Sequence, residues 1–355
     1  MKKITHRVFV PPLNVFLVLL MVFTIFDSCR KGEEQKFLNG YKQTNLVADT
    51  LGFNAAIIDP NLVNAWGISL VPSGPIWISA NHTSLSTIYN RTGMALRPPV
   101  TILGGGGAPT GQLFNSTTSF VLTSNGLPAK FIFAGEDGTI TAWNGGNDAG
   151  VAADRSKWGA VYKGIAMGND GTGNFLYATN FKGQKVDVFD SAFNYVADKP
   201  FEDKYIPPGY GPFNIRNING SLYVTYAKLK GPDNEDDQKG PGNGFVDIFT
   251  TKGIFVKRFA SRGALNSPWG IVQSAMGVGN VPNAILVGNF GDGRINVYSQ
   301  DGNFIGPLRD NYNHPIQIEG LWAIENNVPG GDPNQLFFTA GPDDESHGLF
   351  GYLSK

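Results

Sequence analysis

Leu265-Asn266-Ser267-Pro268-Trp269-Gly270-Ile271 opens a unit that continues through the apolar run 284–290 to the alternating segment Ile295-Asn296-Val297-Tyr298. Read in order, this is an apolar entry, a turn, an aliphatic strand ending near Asn, and a β-branched/aromatic strand of period two. The unit recurs. Trp66-Gly67-Ile68 leads to 76–81 and 87–90, Gly164-Ile165 to 175–181 and 185–190, and Phe213-Asn214-Ile215 to 222–226 and 245–250. Weaker copies cover 120–144 and 321–353, which makes six.

The aromatic residues of the third strands, Tyr89, Trp143, Phe189, Phe249, Tyr298 and Tyr352, fall 46 to 60 residues apart, the range of four-stranded propeller blades with loops. Hairpin signals follow several of them, as in Arg91-Thr92-Gly93, Thr251-Lys252-Gly253 and Gln300-Asp301-Gly302, and lead to outer strands at 100–103, 254–259 and 304–308. The expected fold is all-β: a six-bladed β-propeller of four-stranded antiparallel blades, formed by residues 44–353 as a single domain. The sixth unit stops after its third strand, so Thr44-Asn45-Leu46-Val47-Ala48-Asp49 is expected to supply the missing strand and close the ring. Composition agrees. Forty-six Gly and 22 Pro punctuate many short strands, while 25 Phe, 12 Tyr and 6 Trp need burial that a disordered chain does not offer. A formal charge of −1 leaves no extended basic surface and excludes a nucleic-acid partner.

The entry at 265–271 with the strand 284–298 resembles an NHL repeat, whose units combine a Pro-x-Gly-Ile entry with an Arg-Ile-x-Val-Tyr/Phe strand. More widely, 44–353 resembles a family of exported bacterial six-bladed propellers of Bacteroidetes-type lipoprotein character. The marks are Asn64-Ala65-Trp66-Gly67-Ile68, Phe133-Ala134-Gly135-Glu136-Asp137-Gly138, 262–270 and 341–348. The resemblance implies fold and export, and no reaction.

The first residues read as an address. Lys2, Lys3 and Arg7 precede the apolar run 15–26, which as a helix of about 18 Å is short for a bilayer. The chain then reaches Ser28-Cys29, its single cysteine. This resembles a lipoprotein signal covering 1–28, cut before a lipidated Cys29 and followed by a tether at 29–43. The expectation is an exported chain, held by lipid at a bacterial outer membrane or cell surface, with a periplasmic or secreted chain as the alternative. One cysteine excludes an intramolecular disulfide and a multi-cysteine metal site.

In a four-stranded meander the loops between second and third strands share one face with the entries to the first strands. That places Asn81, His82, Glu136, Asp137, Asn180, Lys182, Lys228, Asn289, Asp292, Asp343, Asp344 and His347 around one mouth, where propeller ligands are held. Trp66, Trp269 and Trp322 read as core wedges at the same end. The acidic insertion 230–244, with Asp233, Glu235, Asp236 and Asp237, overhangs this mouth and does not fit an EF-hand. No catalytic constellation stands out: the chain lacks His-Glu-x-x-His, Gly-x-Ser-x-Gly and a dinucleotide fingerprint. The leading expectation is therefore a monomeric binding module for an extracytoplasmic protein, glycan or small molecule, without a cofactor. The alternative is a metal-dependent hydrolase, lactonase or lyase with a central divalent ion on Glu319, Asn180, Asn289 and Asp343.

Overall fold

The computed structural model describes residues 38–104, 107–274 and 281–355. The signal segment, Cys29 and the tether as far as residue 37 lie outside the described residues. Within them the chain is almost wholly β, with two short 3₁₀ turns, and no helix is long and apolar enough to cross a membrane.

The strands form five hydrogen-bonded sheets. Three are simple four-stranded antiparallel meanders, beginning at Tyr162–Asn169, Tyr210–Ile218 and Pro268–Gln273. The other two depart from one sheet per repeat. Asp148–Asp154 pairs in parallel with Val100–Ile102, fusing the meanders that begin at Ala65–Leu70 and Pro109–Phe114 into one eight-stranded sheet. The last sheet starts at Leu321–Glu325, and its third strand, Leu349–Ser354, pairs antiparallel with Lys42–Ala48 from the other end of the chain. Ile57–Ile58 then adds a parallel edge to that strand.

The six strands that begin these meanders are neighbours in cyclic order, the last returning to the first. Each carries a β-bulge at the same place, between 65 and 68, 109 and 112, 162 and 165, 212 and 214, 268 and 270, and 321 and 324. A bulge bends a strand and increases its twist, which lets six strands converge on one axis. Small residues let them touch. A Cβ on Gly67 would sit 2.6 Å from the Thr110 carbonyl oxygen, and one on Gly111 would sit 2.7 Å from the Ile165 nitrogen. Gly164, Gly270 and Ala323 take the corresponding positions and the Asn214 side chain fills the space beside Gly164, so the axis narrows to a cavity of only about 30 Å³.

One residue earlier, the same column reads Trp66, Thr110, Lys163, Phe213, Trp269 and Trp322. The three tryptophans and Phe213 are 1–4% exposed and, with Phe181 and Phe290, form an aromatic plug. Trp66 and Phe290 both stack on Trp322, with ring centroids 3.6 and 3.8 Å away. Further aromatics fill the spaces between meanders, as where Trp77 stacks on Phe131 at 3.7 Å.

Candidate functional site

Lys163 is the one charged side chain in that aromatic column, and it is 2% exposed. Its ammonium forms an ion pair with Glu136, lies 3.6 Å from Asp236, and sits 5.3 Å from the centre of the Trp66 ring. Burial alone would lower its pKa. The charge and hydrogen bond of Glu136, with Asp236 and Glu345 further off, outweigh this and raise it, so Lys163 remains a fixed cation.

A hydrogen-bonded chain spreads from this pair. Glu136 accepts from Asn81 Nδ2 at 2.9 Å, and Asn81 Oδ1 accepts from Asn64 Nδ2 at 3.3 Å. Asn64 also donates to Glu345 at 2.8 Å, accepts from the Trp322 indole at 2.9 Å, and lies 3.5 Å from His82 Nε2. Glu345 is carried by a turn in which Asp343, Asp344 and Glu345 all have left-handed φ, at 53°, 54° and 69°. Three consecutive side-chain-bearing residues in that region store strain, which the contacts of the turn must offset. Burial pushes the Glu345 carboxyl up to about 7, and Glu136 and Asp236 add repulsion, while Lys163 and Asn64 pull the other way.

The insertion roofs the cluster. Lys182 bonds Glu235 at 2.7 Å, and Lys239 lies 3.8 Å from Asp344 and 4.3 Å from the centre of the Phe290 ring. A cavity of about 470 Å³ opens between Lys230, Asp237, Gln238, Lys239 and Asp344. At its wall Asp237 is 8% exposed, with a carboxylate oxygen that has no hydrogen-bond partner, and burial raises its pKa.

The structure sorts the residues expected at the mouth. Asn81, His82, Glu136, Lys182 and Asp344 contribute to the polar network or its roof. Asp137 and Asp292 instead cap hairpin amides, of Thr139 and Arg294 respectively, and Lys228 uses its carbonyl to hold the Gln238 amide. His347 turns away to Asp49: Nδ1 lies 2.9 Å from one carboxylate oxygen, and the other accepts the Gly348 amide at 2.9 Å. The histidine therefore ties the N-terminal strand to the last turn, and this bond raises its pKa.

Each of the expected ion ligands has a local environment of its own. Asn180 donates to Asp187 at 3.0 Å and accepts the Gly183 amide at 3.0 Å, while Asn289 donates to the Ala264 carbonyl at 2.8 Å and to Asp292 at 3.0 Å. Both asparagines finish strands and tie down turns, although Asn289 Oδ1 remains buried without a partner. Glu319 is exposed, and Asp343 faces His347 at 3.9 Å. Among the described residues no three His, Cys, Asp or Glu side chains converge as a metal-ligand set.

Two pKa shifts give a pH prediction of one sign. Glu345 binds its proton more tightly folded than unfolded, so its ionisation removes stability as pH rises from the ordinary carboxylate range to about 7. The contribution of His347 is complete below its unfolded pKa and is lost as pH rises through the higher folded value. Thermal melts from pH 5 to 8 should therefore show Glu345→Gln gaining on the native chain as pH rises to 7. A constant difference between the two would contradict the assignment.

The fold and site define an all-β protein of propeller type with a charged, aromatic-floored mouth. The sequence matches no family model. It is 35% identical over 316 residues to protein R648 of Acanthamoeba polyphaga mimivirus, covering 85% of this chain and 77% of that protein. It is 32% identical to protein L690 of the same virus over 315 residues, 85% and 82% of the two chains. The chain belongs to the family of these proteins. Their viral source lends no support to a Bacteroidetes lipoprotein origin.

Solved structures of similar fold include a streptogramin B lyase (12% identity, TM-score 0.51, 88% of this chain and 97% of that one). Others are a putative gluconolactonase (13%, 0.53, 82% and 89%) and regucalcin, a calcium-binding protein from Agrobacterium tumefaciens (13%, 0.52, 82% and 90%). At these identities the likeness is one of fold.

Proposed function

We propose that the protein is a binding module whose ligand enters the mouth between the 341–348 turn and the 230–244 insertion, above Lys163 and Glu136. In this reading the meanders are six blades of a propeller, and Lys42–Ala48 closes the ring. The observation that carries it is the largely buried Lys163–Glu136–Asn81–Asn64–Glu345 network, set beneath a cavity at whose wall one carboxylate oxygen of Asp237 is buried without a partner. Buried polar groups of this kind are costly unless a ligand or water completes them.

The ligand class follows from the donors and acceptors. Glu136, Glu235, Asp236 and Asp344 balance Lys163, Lys182, Lys230 and Lys239, and burial favours the protonated forms of Asp237 and Glu345, so the mouth has no cationic excess and favours a hydroxyl-rich ligand that is neutral or cationic. A glycan bearing amino groups fits. Full-length protein should retain partly deacetylated chito-oligosaccharide and reject oligogalacturonate in a pull-down, and Glu136→Gln should lose at least about tenfold in affinity. Equal retention of the anionic oligomer, or undiminished binding by Glu136→Gln, would contradict the reading.

A metal-dependent hydrolase, lactonase or lyase is the second reading, favoured by the orphaned Oδ1 of Asn289. It calls for a tightly held, stoichiometric divalent ion in purified protein that Asn289→Ala releases. The signal-like start and Cys29 support an exported, lipid-anchored chain. Membrane fractionation unaffected by Cys29→Ser would contradict the anchor.

A further inference from the structure

The opposite end of the axial channel widens into a second cavity of about 290 Å³, where the strands Ala65–Leu70, Pro109–Phe114, Tyr162–Asn169 and Tyr210–Ile218 diverge. It is continuous in its lining with the axial neck, sharing Ile68, Gln112, Ile165, Arg216 and Glu325. Much of its wall is apolar, including Leu70, Leu113, Phe114 and Met167, all partly exposed.

The polar groups in this wall differ in how far they are satisfied. Gln112 accepts from Ser86 at 3.0 Å and donates to the Gly67 carbonyl at 3.0 Å. Asn217 donates to the Met167 carbonyl at 2.9 Å and accepts the Gly220 amide at 2.9 Å. Glu325, 5% exposed, accepts from Arg216 Nη2 at 2.5 Å and from the Asn326 amide at 3.2 Å. Two groups keep unused capacity. Ser69 lies in the wall at 6% exposure, with a hydroxyl that is itself buried and has no partner. Arg216 engages Glu325 through one nitrogen, so among the described residues the rest of its five-donor fork is unused.

We propose that this cavity is a second ligand site, for a small monocarboxylate with an apolar tail. What remains open in it is donor capacity: the Arg216 N–H groups that Glu325 does not take, on a side chain 37% exposed, with the buried Ser69 hydroxyl behind the wall. These call for acceptor oxygens, and a carboxylate matches the planar geometry of a guanidinium edge. Glu325 balances the standing charge of Arg216 and fixes its position, while Leu70, Leu113, Phe114 and Met167 receive the tail. No group of the Lys163 mouth takes part, so the site stands or falls apart from the glycan reading.

The test is calorimetric titration of the full chain with octanoate, octanol and octylamine. Octanoate should bind at least about tenfold more tightly than either analogue, and Arg216→Gln should remove that preference. Glu325→Gln removes the competing carboxylate charge while its amide oxygen still accepts from Arg216, and should tighten octanoate binding. This gain also serves as the readout should Arg216→Gln fail to fold. Equal affinity for octanol and octanoate, absence of octanoate binding, or weaker binding in Glu325→Gln would each overturn the proposal.

Discussion

A chain beginning at Asp49, and so lacking Lys42–Ala48, is expected to lose its cooperative melting transition and to aggregate. The deleted strand pairs with Leu349–Ser354 along its length, from Lys42 opposite Ser354 to Ala48 opposite Leu349. Leu46, Val47 and Ala48 are 7%, 0% and 0% exposed, and Leu46 and Val47 pack in the same cluster as Trp66 and Trp322. Burying each larger aliphatic side chain is worth about 1.5–3 kcal/mol, a sizeable share of the roughly 5–15 kcal/mol that holds a domain folded. Removal also bares the edge of Leu349–Ser354 and takes away Asp49's neighbours on the chain, loosening its hold on His347. Calorimetry and light scattering give the outcome. A soluble truncated chain with an unchanged transition would mean that the terminal strand closes nothing.

Lys163→Met should be the most damaging single substitution at the mouth. It leaves Glu136 without its cation while Asn81 still holds the carboxylate in place. Breaking a buried pair from one side costs roughly 3–5 kcal/mol. The lower end applies, because the Glu136 side chain keeps 27% of its surface exposed. Glu136→Gln made in the Lys163→Met background should recover much of the loss, since the amide carries no charge to strand. Denaturant melts of the two single variants and the double variant measure the coupling. Strict additivity would contradict a paired role.

The repeats were legible because the same physical task is set six times. Each unit needs a bulged first strand that comes close to the axis, and Trp-Gly-Ile supplies a plug, a close approach and an aliphatic wall in three residues. Where the task is met by other residues, the sequence is quieter. Pro109–Phe114 serves as a first strand with Thr110-Gly111-Gln112, which carries neither Trp nor Ile and does not read as an entry. The pairing of Val100–Ile102 with Asp148–Asp154 leaves no signature because parallel contacts between outer strands make few demands on side chains.

Site residues divide along similar lines. Asn81 and Glu136 follow the last residue of a second strand, while Asn180 and Asn289 are the last residue, paired into the sheet. A shift of one position decides whether a polar side chain meets the mouth or caps its own turn. Lys163 does not stand out in the sequence, because Gly164-Ile165 matches the repeat while the residue before it does not. The signal was present as a lysine in a column otherwise filled by Trp, Phe and Thr. Ser69, Arg216 and Glu325 are far apart in the chain and belong to different sheets, so nothing local announces their cavity.

The central claim, that ligand is held at the mouth and not on the sides of the sheets, is tested most directly by amide hydrogen exchange with and without chito-oligosaccharide. The prediction is slowed exchange confined to residues 63–66, 135–138, 235–240 and 341–348. Slowing confined instead to outer strands such as Phe255–Ser261 or Phe304–Pro307, with the mouth unchanged, would contradict it.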